Sequence, residues 1–193
     1  MARTKCFEER EVLLKAVEIF WRKGFHATSI QNLVDGLGIN RASLYDTFGG
    51  KEALFQKALA LYQNNNRKAF TDFLSTQPSV KEGISQIFKN AIEMADTDPE
   101  KKGCFVVNIT TELGATDPEI AQLVSLNRST FEQIFLEYLQ QVAEKGEIPK
   151  DKDLKALSIL LFTIYNGLQV VVKTNPKKAD LHLAVKAAIR LLD

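Results

Sequence analysis

The sequence contains few of the residues that most often build metal sites or disulfide cross-links. Its 193 residues include two cysteines, Cys6 and Cys104, and two histidines, His26 and His182. Two cysteines cannot form a disulfide framework, and so few thiol and imidazole groups leave no recognisable spacing of metal ligands. We therefore expect neither a metal nor any other cofactor.

Motifs of the common enzyme classes are missing as well. The chain has no P-loop and no dinucleotide-binding fingerprint. Its two histidines lie far apart in the sequence and suggest no catalytic site, and the acidic pair Glu8 and Glu9 resembles the solvated start of a helix. The sequence therefore predicts a protein that is not an enzyme.

Long apolar runs and a strong charge bias are also lacking. The beginning of the chain has no apolar core of a signal peptide, and polar residues interrupt the longest apolar stretch, residues 156–172. We therefore expect a cytoplasmic protein that does not cross a membrane. Lysine and arginine total 25 against 24 acidic residues, so DNA binding would depend on where the charges lie.

What the sequence does contain is helical periodicity along almost its whole length. Apolar residues recur at helical spacing, and strand alternation is nearly absent, although residues 105–109 are ambiguous. The pattern predicts an all-α fold of about nine helices. We expect two domains, a helix-turn-helix DNA-binding domain over residues 1–50 and a helical effector-binding and dimerisation domain over residues 51–193.

Residues 28–55 follow the plan of a helix-turn-helix. A short helix, a turn at residues 36–39 and a second short helix starting after Asn40 succeed one another. In this motif the second helix enters the major groove, and its first residues reach the base edges. We expect Leu33, Leu37, Ile39 and Leu44 to be buried between the helices. The candidates to face outward are then Asn40, Arg41, Ala42, Ser43 and Tyr45.

At this point the sequence resembles the TetR family of bacterial transcriptional regulators. The resemblance rests on Thr28, the run Leu-Val-Asp-Gly-Leu-Gly-Ile, the triplet Ser43-Leu44-Tyr45, Phe48, Lys51-Glu52 and Leu54-Phe55, and it covers residues 8–55 most strongly. It implies a regulator that binds double-stranded operator DNA of palindromic or pseudo-palindromic sequence. Repression is the usual role in this family.

The resemblance and the side-chain chemistry together indicate which residues contact DNA. Thr28 is expected to cap a helix and present N–H groups to a phosphate, and Arg41 can read guanine or contact a phosphate. Tyr45 and Lys51 match the family's phosphate contacts, although Tyr45 could instead pack against the first helix. Thr47 stands where the family often has histidine, so its contact stays open. The predicted set is Thr28, Asn40, Arg41, Ala42, Ser43, Tyr45, Thr47 and Lys51, with Arg3 and Lys5 as further candidates on an N-terminal arm.

The family also implies a homodimer formed by the last two helices and a small-molecule effector bound between helices of the C-terminal domain. Apolar residues from Leu157 to Ile189 would supply the dimer core, unless they pack within the subunit. The effector is unknown. Ordinary core packing is the more common role of such residues, and the polar and aromatic candidates for the pocket are Tyr62, Phe70, Cys104, Phe105, Asn108, Phe131, Tyr165, Asn166 and Gln169.

Cys104 suggests an alternative way of sensing. It follows Gly103 and two lysines and is expected to open a helix, an environment that lowers the pKa of a thiol. The Gly-Cys-hydrophobe run resembles a TetR subgroup that includes electrophile-responsive repressors, with Lys173 as a partner for the thiol. A buried, unreactive cysteine would explain the same residue. A helical interaction protein without DNA binding is a more distant alternative, because it gives no reason for the pattern of residues 28–55.

Overall fold

The computed structural model describes residues 7–193, and these residues form nine α-helices without a β-strand. The all-α prediction is confirmed, and the ambiguous residues 105–109 are helical. The candidates Arg3, Lys5 and Cys6 lie outside the described residues. The helices are α1 (Glu9–Lys23), α2 (Ile30–Leu37), α3 (Arg41–Phe48), α4 (Lys51–Ser75), α5 (Val80–Thr97), α6 (Phe105–Leu113), α7 (Pro118–Glu144), α8 (Leu154–Val171) and α9 (Lys178–Ile189).

Short polar side chains start several of these helices. The side chains of Asn40, Ser79 and Asp153 each accept a hydrogen bond from a main-chain N–H in the first turn of the helix that follows. Asp117 accepts two such bonds at the start of α7, where Pro118 occupies the first helical position. These bonds satisfy N–H groups that have no partner within the helix, so the polar residues in the sequence define where these four helices begin.

Two hydrophobic clusters divide the core. The N-terminal cluster combines α1, α2 and α3 with the first half of α4 and with α6, which contributes Phe105, Ile109 and Leu113. The C-terminal cluster combines the end of α4 with α5, α7, α8 and α9. The predicted boundary at residue 50 falls just before α4, whose first half packs against α1. Helices α4 and α6 therefore connect the helix-turn-helix to the rest of the chain.

Helix α8 carries an exposed apolar surface. With the short 3-10 turn after it, the segment Leu154–Thr174 is long and apolar enough to cross a membrane by length and composition, although its polar residues predict a poor span. Core helices of soluble proteins meet the same criterion, and 33% of the most apolar stretch of this segment is buried. It packs against α7, while Ile159, Leu160, Val170 and Val171 stay exposed. Several candidates for the dimer core, including Leu161, Leu168 and Val185, are buried within the subunit, which is the alternative that the sequence left open for them.

Candidate functional site

Helices α2 and α3 form the predicted helix-turn-helix. Gly38 ends α2 with a φ of 71°, and its N–H donates to the Val34 carbonyl at 3.1 Å. This left-handed backbone favours glycine, and it lets the chain turn directly into α3. The prediction that Leu33, Leu37, Ile39 and Leu44 are buried is confirmed. The apolar contacts between α2 and α3 thus fix which face of α3 points outward.

The outward face of α3 carries most of the predicted DNA-contacting residues. Arg41, Ala42 and Tyr45 are exposed, and Ser43 and Thr47 are partly exposed. Asn40 is exposed at the start of the helix, where its Oδ1 accepts a hydrogen bond from the Ser43 N–H at 2.8 Å. Asn40 therefore fixes the first turn of α3, the part of such a helix that reaches base edges.

Tyr45 lies between Arg41 and the glycine pair that follows α3. The Arg41 Cζ lies 5.9 Å from the centre of the Tyr45 ring. A Cβ atom on Gly50 would lie 3.4 Å from a carbon of the ring, an ordinary van der Waals contact, so the ring lies close to the backbone there. The Tyr45 side chain remains 45% exposed. This exposure favours a surface role for Tyr45 over burial against α1.

Lys51 begins α4 next to the turn between α1 and α2. Its Nζ lies 4.3 Å from the centre of the Phe25 ring, a distance at which an ammonium group is attracted by the face of an aromatic ring. The Phe25 ring in turn packs against Phe20 and Phe55. The cation of Lys51 is therefore held at the edge of the N-terminal cluster rather than extended into solvent.

Thr28 does not have the position that we expected. Its side chain is fully buried, and its hydroxyl donates to the Gly24 carbonyl at 2.6 Å. The residue that caps α2 is Ser29, whose side chain accepts from the Asn32 N–H. The prediction that Thr28 caps the helix and faces a phosphate is therefore wrong, because α2 begins one residue later and the Thr28 hydroxyl already holds the preceding turn.

A cavity of about 500 Å³ lies between α6, α7 and α8. Its lining is mainly apolar, with polar groups from Thr110, Thr111, Ser125 and Asn166. Arg128 also lies at the cavity, and its Nη1 is 3.1 Å from the Glu132 Oε1, so its charge is already paired. A predominantly apolar pocket of this size with a few polar groups is typical of a small-molecule site.

A second cavity of about 250 Å³ lies beside the start of α6. Four of the predicted pocket residues line it, namely Tyr62, Cys104, Tyr165 and Gln169, together with Trp21 and Lys102. Asn166 instead lines the larger cavity between α6, α7 and α8. The structure thus distributes the predicted pocket residues over both cavities.

The remaining pocket candidates do not line either cavity. Phe70 and Phe131 are buried in the C-terminal cluster, with ring centres 5.2 Å apart, and Phe105 is fully buried in the N-terminal cluster. Asn108 donates to the Lys102 carbonyl at 2.8 Å and accepts from Lys173. Phe70, Phe105 and Phe131 thus have the packing role that the sequence left open for them, and Asn108 lines a third cavity of about 300 Å³ together with Trp21 and Lys173.

Cys104 precedes the first turn of α6, as expected, but its thiol is not activated. Burial raises the pKa of the Cys104 thiol. This effect outweighs the N–H groups of Val107 and Val106, the Tyr62 hydroxyl and the charge of Lys173, all of which lower the pKa. The expected lowering of the pKa is therefore wrong. Lys173 lies close enough to affect the thiol electrostatically, but its ammonium group donates to Asn108.

Sequence reasoning missed the residues through which α6 contacts both the larger cavity and the DNA-binding domain. Val106, Val107, Thr110 and Thr111 line the cavity, and Glu112 accepts hydrogen bonds from the turn after α1. The helical period separates these residues into two faces, but the sequence does not show which elements lie against each face. Only the cavity-facing threonines could have been noticed as polar residues in an apolar helix.

These features define a DNA-binding protein of the helix-turn-helix class. The family model described as "Bacterial regulatory proteins, tetR family" matches residues 12–58, and the model described as "Tetracyclin repressor-like, C-terminal domain" matches residues 81–188. The chain belongs to the TetR family of transcriptional regulators. The family and the relatives described below are DNA-binding regulators and not enzymes.

Relatives and solved structures agree with this assignment. The HTH-type transcriptional regulator YezE of Bacillus subtilis strain 168 is 34% identical over 195 aligned residues, which cover all of both chains. The transcriptional repressor ComR of Escherichia coli K12 is 27% identical over 98% of this chain and 90% of its own length. A cysteine variant of the regulator CifR, solved with 26-bp operator DNA, is 27% identical over the full length of both chains with a TM-score of 0.85.

Proposed function

We propose that this regulator is a repressor that binds operator DNA in the cytoplasm as a homodimer and leaves it when a small molecule binds. One observation carries the proposal. Helix α6 lines a 500 Å³ cavity and also packs into the hydrophobic cluster that holds the helix-turn-helix. The names of ComR, a repressor, and of the operator complex of CifR support this role.

On DNA, α3 would lie in the major groove with Arg41 nearest the base edges. The guanidinium group can donate two hydrogen bonds to guanine, whereas Ser43 can bond a base or a phosphate. Tyr45, Thr47 and Lys51 would contact the phosphate backbone and fix the position of α3. Asn40 would act indirectly through the first turn of the helix, and Ala42 would leave room for a base or its methyl group.

The exposed apolar residues of α8 and α9 would form the dimer interface. Ile159, Leu160, Val170 and Val171 on α8, and Leu183 on α9, are exposed in the single subunit. Burial of such a surface against its copy would pair two helix-turn-helix motifs. A two-fold dimer would then read two half-sites about 34–36 Å apart, as a palindromic or pseudo-palindromic operator requires.

The effector would occupy the larger cavity. Because the Arg128 charge is paired with Glu132, the site favours a neutral and largely apolar molecule with a few hydrogen-bonding groups. The molecule can weaken DNA binding only if it binds more tightly to a subunit arrangement that does not fit the operator.

The first test is fluorescence anisotropy of the purified protein on DNA from upstream of its own gene. Scrambled DNA of the same length and composition is the control, and both are titrated at several salt concentrations. We expect selective binding with a log affinity that falls linearly with log salt. Equal affinity for both DNAs would lead to a selection of bound fragments from the whole genome. Failure of that selection to yield a preferred sequence would refute the proposal.

A thiol-based response is a second candidate, favoured by the position of Cys104 in the smaller cavity. The Tyr62 hydroxyl lies 4.0 Å from the Cys104 Sγ, and Lys102 and Lys173 lie nearby. Alkylation of the thiol would place a group inside this cavity beside α6. The test compares DNA release by N-ethylmaleimide in the parent protein and in a Cys104→Ser variant. Equal release from both proteins would refute a role for Cys104.

A further inference from the structure

The turn between α1 and α2 is held by a carboxylate from the C-terminal part of the chain. The Phe25 N–H donates to the Glu112 Oε2 at 3.0 Å, and the His26 N–H donates to the Glu112 Oε1 at 2.8 Å. Both oxygens of one side chain are thus used on two consecutive main-chain groups. Hydrogen bonds to a charged group are stronger than those between neutral groups, so this contact restrains the turn.

The backbone of the turn is shaped to receive this carboxylate. Gly24 has a φ of 78°, and a Cβ at this position would lie 2.7 Å from the Glu112 Oε2. The missing side chain therefore leaves the space that the carboxylate fills. The Gly24 carbonyl also accepts the hydroxyl of buried Thr28, two residues before α2 begins. The same short turn thus contacts Glu112 on one side and leads directly into the helix-turn-helix on the other.

Helix α6 is attached to α1 at both of its ends. The Trp21 Nε1 donates at 3.1 Å to the carbonyl of Gly103, which lies just before α6, and Glu112 lies in the last turn of α6. Between these contacts Phe105 and Ile109 are fully buried in the N-terminal cluster. These residues follow helical spacing, so one face of α6 is devoted to α1 and the adjoining turn.

The residues on the other face of α6 line the 500 Å³ cavity. We propose that Glu112 is a positioning residue for DNA binding, which holds the α1–α2 turn and thereby the helix-turn-helix in the orientation that fits the operator. Glu112 is then also one of the contacts through which a molecule in the cavity would affect the DNA-binding domain. That last step rests on the proposed effector response, whereas the positioning role does not.

The test uses Glu112→Ala, which removes both acceptors, and Glu112→Gln, which keeps the size but presents an NH₂ group to one of the donors. Removal of a negative charge from a DNA-binding protein would by itself strengthen DNA binding. The loss of a positioning contact would instead weaken DNA binding, because only the fraction of molecules with a correctly oriented helix-turn-helix can bind. We expect both variants to bind the upstream DNA about tenfold more weakly than the parent, because charge-assisted hydrogen bonds are lost.

The salt dependence separates positioning from direct DNA contact. Because Glu112 neutralises no phosphate, the slope of log affinity against log salt should stay that of the parent, whereas a lost phosphate contact reduces it by about one. Glu137→Gln is the control of matched charge. Glu137 is exposed on α7, and the one hydrogen bond described for its side chain comes from Gln133 on the same helix. This control should bind DNA as the parent does.

Amide hydrogen exchange tests the contact without DNA. In both Glu112 variants the Phe25 and His26 amides should exchange faster than in the parent, while circular dichroism shows an unchanged helical content. If Glu112→Ala does not fold, the same measurements are made on Glu112→Gln alone. Absence of selective DNA binding by the parent would count against the proposed function alone. Unchanged exchange at Phe25 and His26, or DNA affinity as strong as the parent's in a folded Glu112 variant, would overturn the inference.

Discussion

Arg41 and Tyr45 lie one helical turn apart on the exposed face of α3, with the guanidinium carbon 5.9 Å from the centre of the tyrosine ring. A contact of this kind orients a long side chain that would otherwise sample many rotamers. The tyrosine can therefore hold Arg41 near the start of α3, where base contacts are made. A phosphate contact by Tyr45 and its support of Arg41 are compatible, because the hydroxyl and the ring face act separately.

The role of Arg41 can be measured with Arg41→Ala. If the guanidinium group reads guanine, we expect a loss of about 1–3 kcal/mol of binding free energy on the operator and reduced discrimination against scrambled DNA. If it contacts only phosphate, affinity for both DNAs falls equally and the salt slope drops by about one. Anisotropy titrations on both DNAs decide between these outcomes, and unchanged affinity on both would exclude Arg41 from the interface.

Lys51→Ala tests a phosphate contact at the start of α4. We expect weaker binding to operator and scrambled DNA alike, with a salt slope reduced by about one. The variant also loses the contact with the Phe25 ring, which is worth about 0.5–1 kcal/mol at an exposed site, so a small fall in stability is expected. Lys57→Ala is the matched control, because its ammonium group also lies over a ring, that of Phe48. A loss of affinity in both variants would point to stability rather than to a contact.

The fold could be predicted from the sequence because its signals are local. Asn40, Ser79 and Asp117 mark helix starts, and Leu33, Leu37 and Leu44 follow the spacing that buries one face of α2 and α3. The outward face of α3 follows from the same spacing. The sequence does not distinguish Thr28 from Ser29 as the cap of α2, because both residue types are good caps and only the hydrogen bond of Thr28 to the Gly24 carbonyl decides between them.

The cavities could not be predicted because they depend on how distant helices pack. Phe70, Phe105 and Tyr165 are all aromatic residues within helices, yet only Tyr165 lines one of the two cavities. In the sequence, Glu112 cannot be distinguished from a solvated glutamate near the end of a helix. Its role depends on its contact with the turn after α1, which only the structure shows. The raised pKa of Cys104 cannot be predicted for the same reason, because the sequence shows the neighbouring lysines but not the burial of the thiol.

The partly buried Cys104, Tyr62 and Tyr165 around the smaller cavity predict a loss of stability at alkaline pH. Burial raises the pKa of the Cys104 thiol above its ordinary value of 9.0 and raises the pKa of Tyr62 and Tyr165 above 10.0. Groups whose pKa is raised by folding stabilise the protein below the pKa of the unfolded chain, and this contribution is lost as pH rises beyond it. Lys173 acts oppositely, since burial lowers its pKa.

Thermal unfolding of the parent and of Cys104→Ser isolates the contribution of the thiol. Serine does not titrate in this range, so the parent's midpoint should fall relative to the variant's as pH rises from about 8 to 10.5. Groups remote from the thiol are common to both proteins and cancel in the comparison, whereas Tyr62, Tyr165 and Lys173 lose their electrostatic interaction with the thiolate in the variant. A difference that stays constant over this range would show that the thiol does not keep its raised pKa.

The dimer interface is tested by placing a charge on the exposed face of α8. Leu160 is 38% exposed and Val171 is 44% exposed in the subunit, and burial of an unpaired carboxylate in an apolar interface is strongly unfavourable. We expect Leu160→Glu and Val171→Glu to be monomers of parental helical content by sedimentation, with weakened operator binding. Leu14→Glu, on α1 and 44% exposed, is the control and should remain a dimer. Dimers in all three variants would place the interface elsewhere.

Gly103 is required by both its backbone and its surroundings. Its φ is 65°, and a Cβ there would lie 2.6 Å from the Lys173 Cε and 2.9 Å from the main-chain oxygen of Gln169. Lysine could move its flexible end, but the Gln169 oxygen belongs to α8 and cannot. We expect Gly103→Ala to lower the free energy of unfolding by about 1–3 kcal/mol, measured by urea denaturation.

Gly146→Ala supplies the comparison, because Gly146 has a φ of 79° but no atom within 4 Å of its Cβ position. The free energy of unfolding of Gly146→Ala should fall only by the backbone strain of a left-handed alanine, about 1 kcal/mol. Equal losses in both variants would mean that α6 and α8 can separate here without cost.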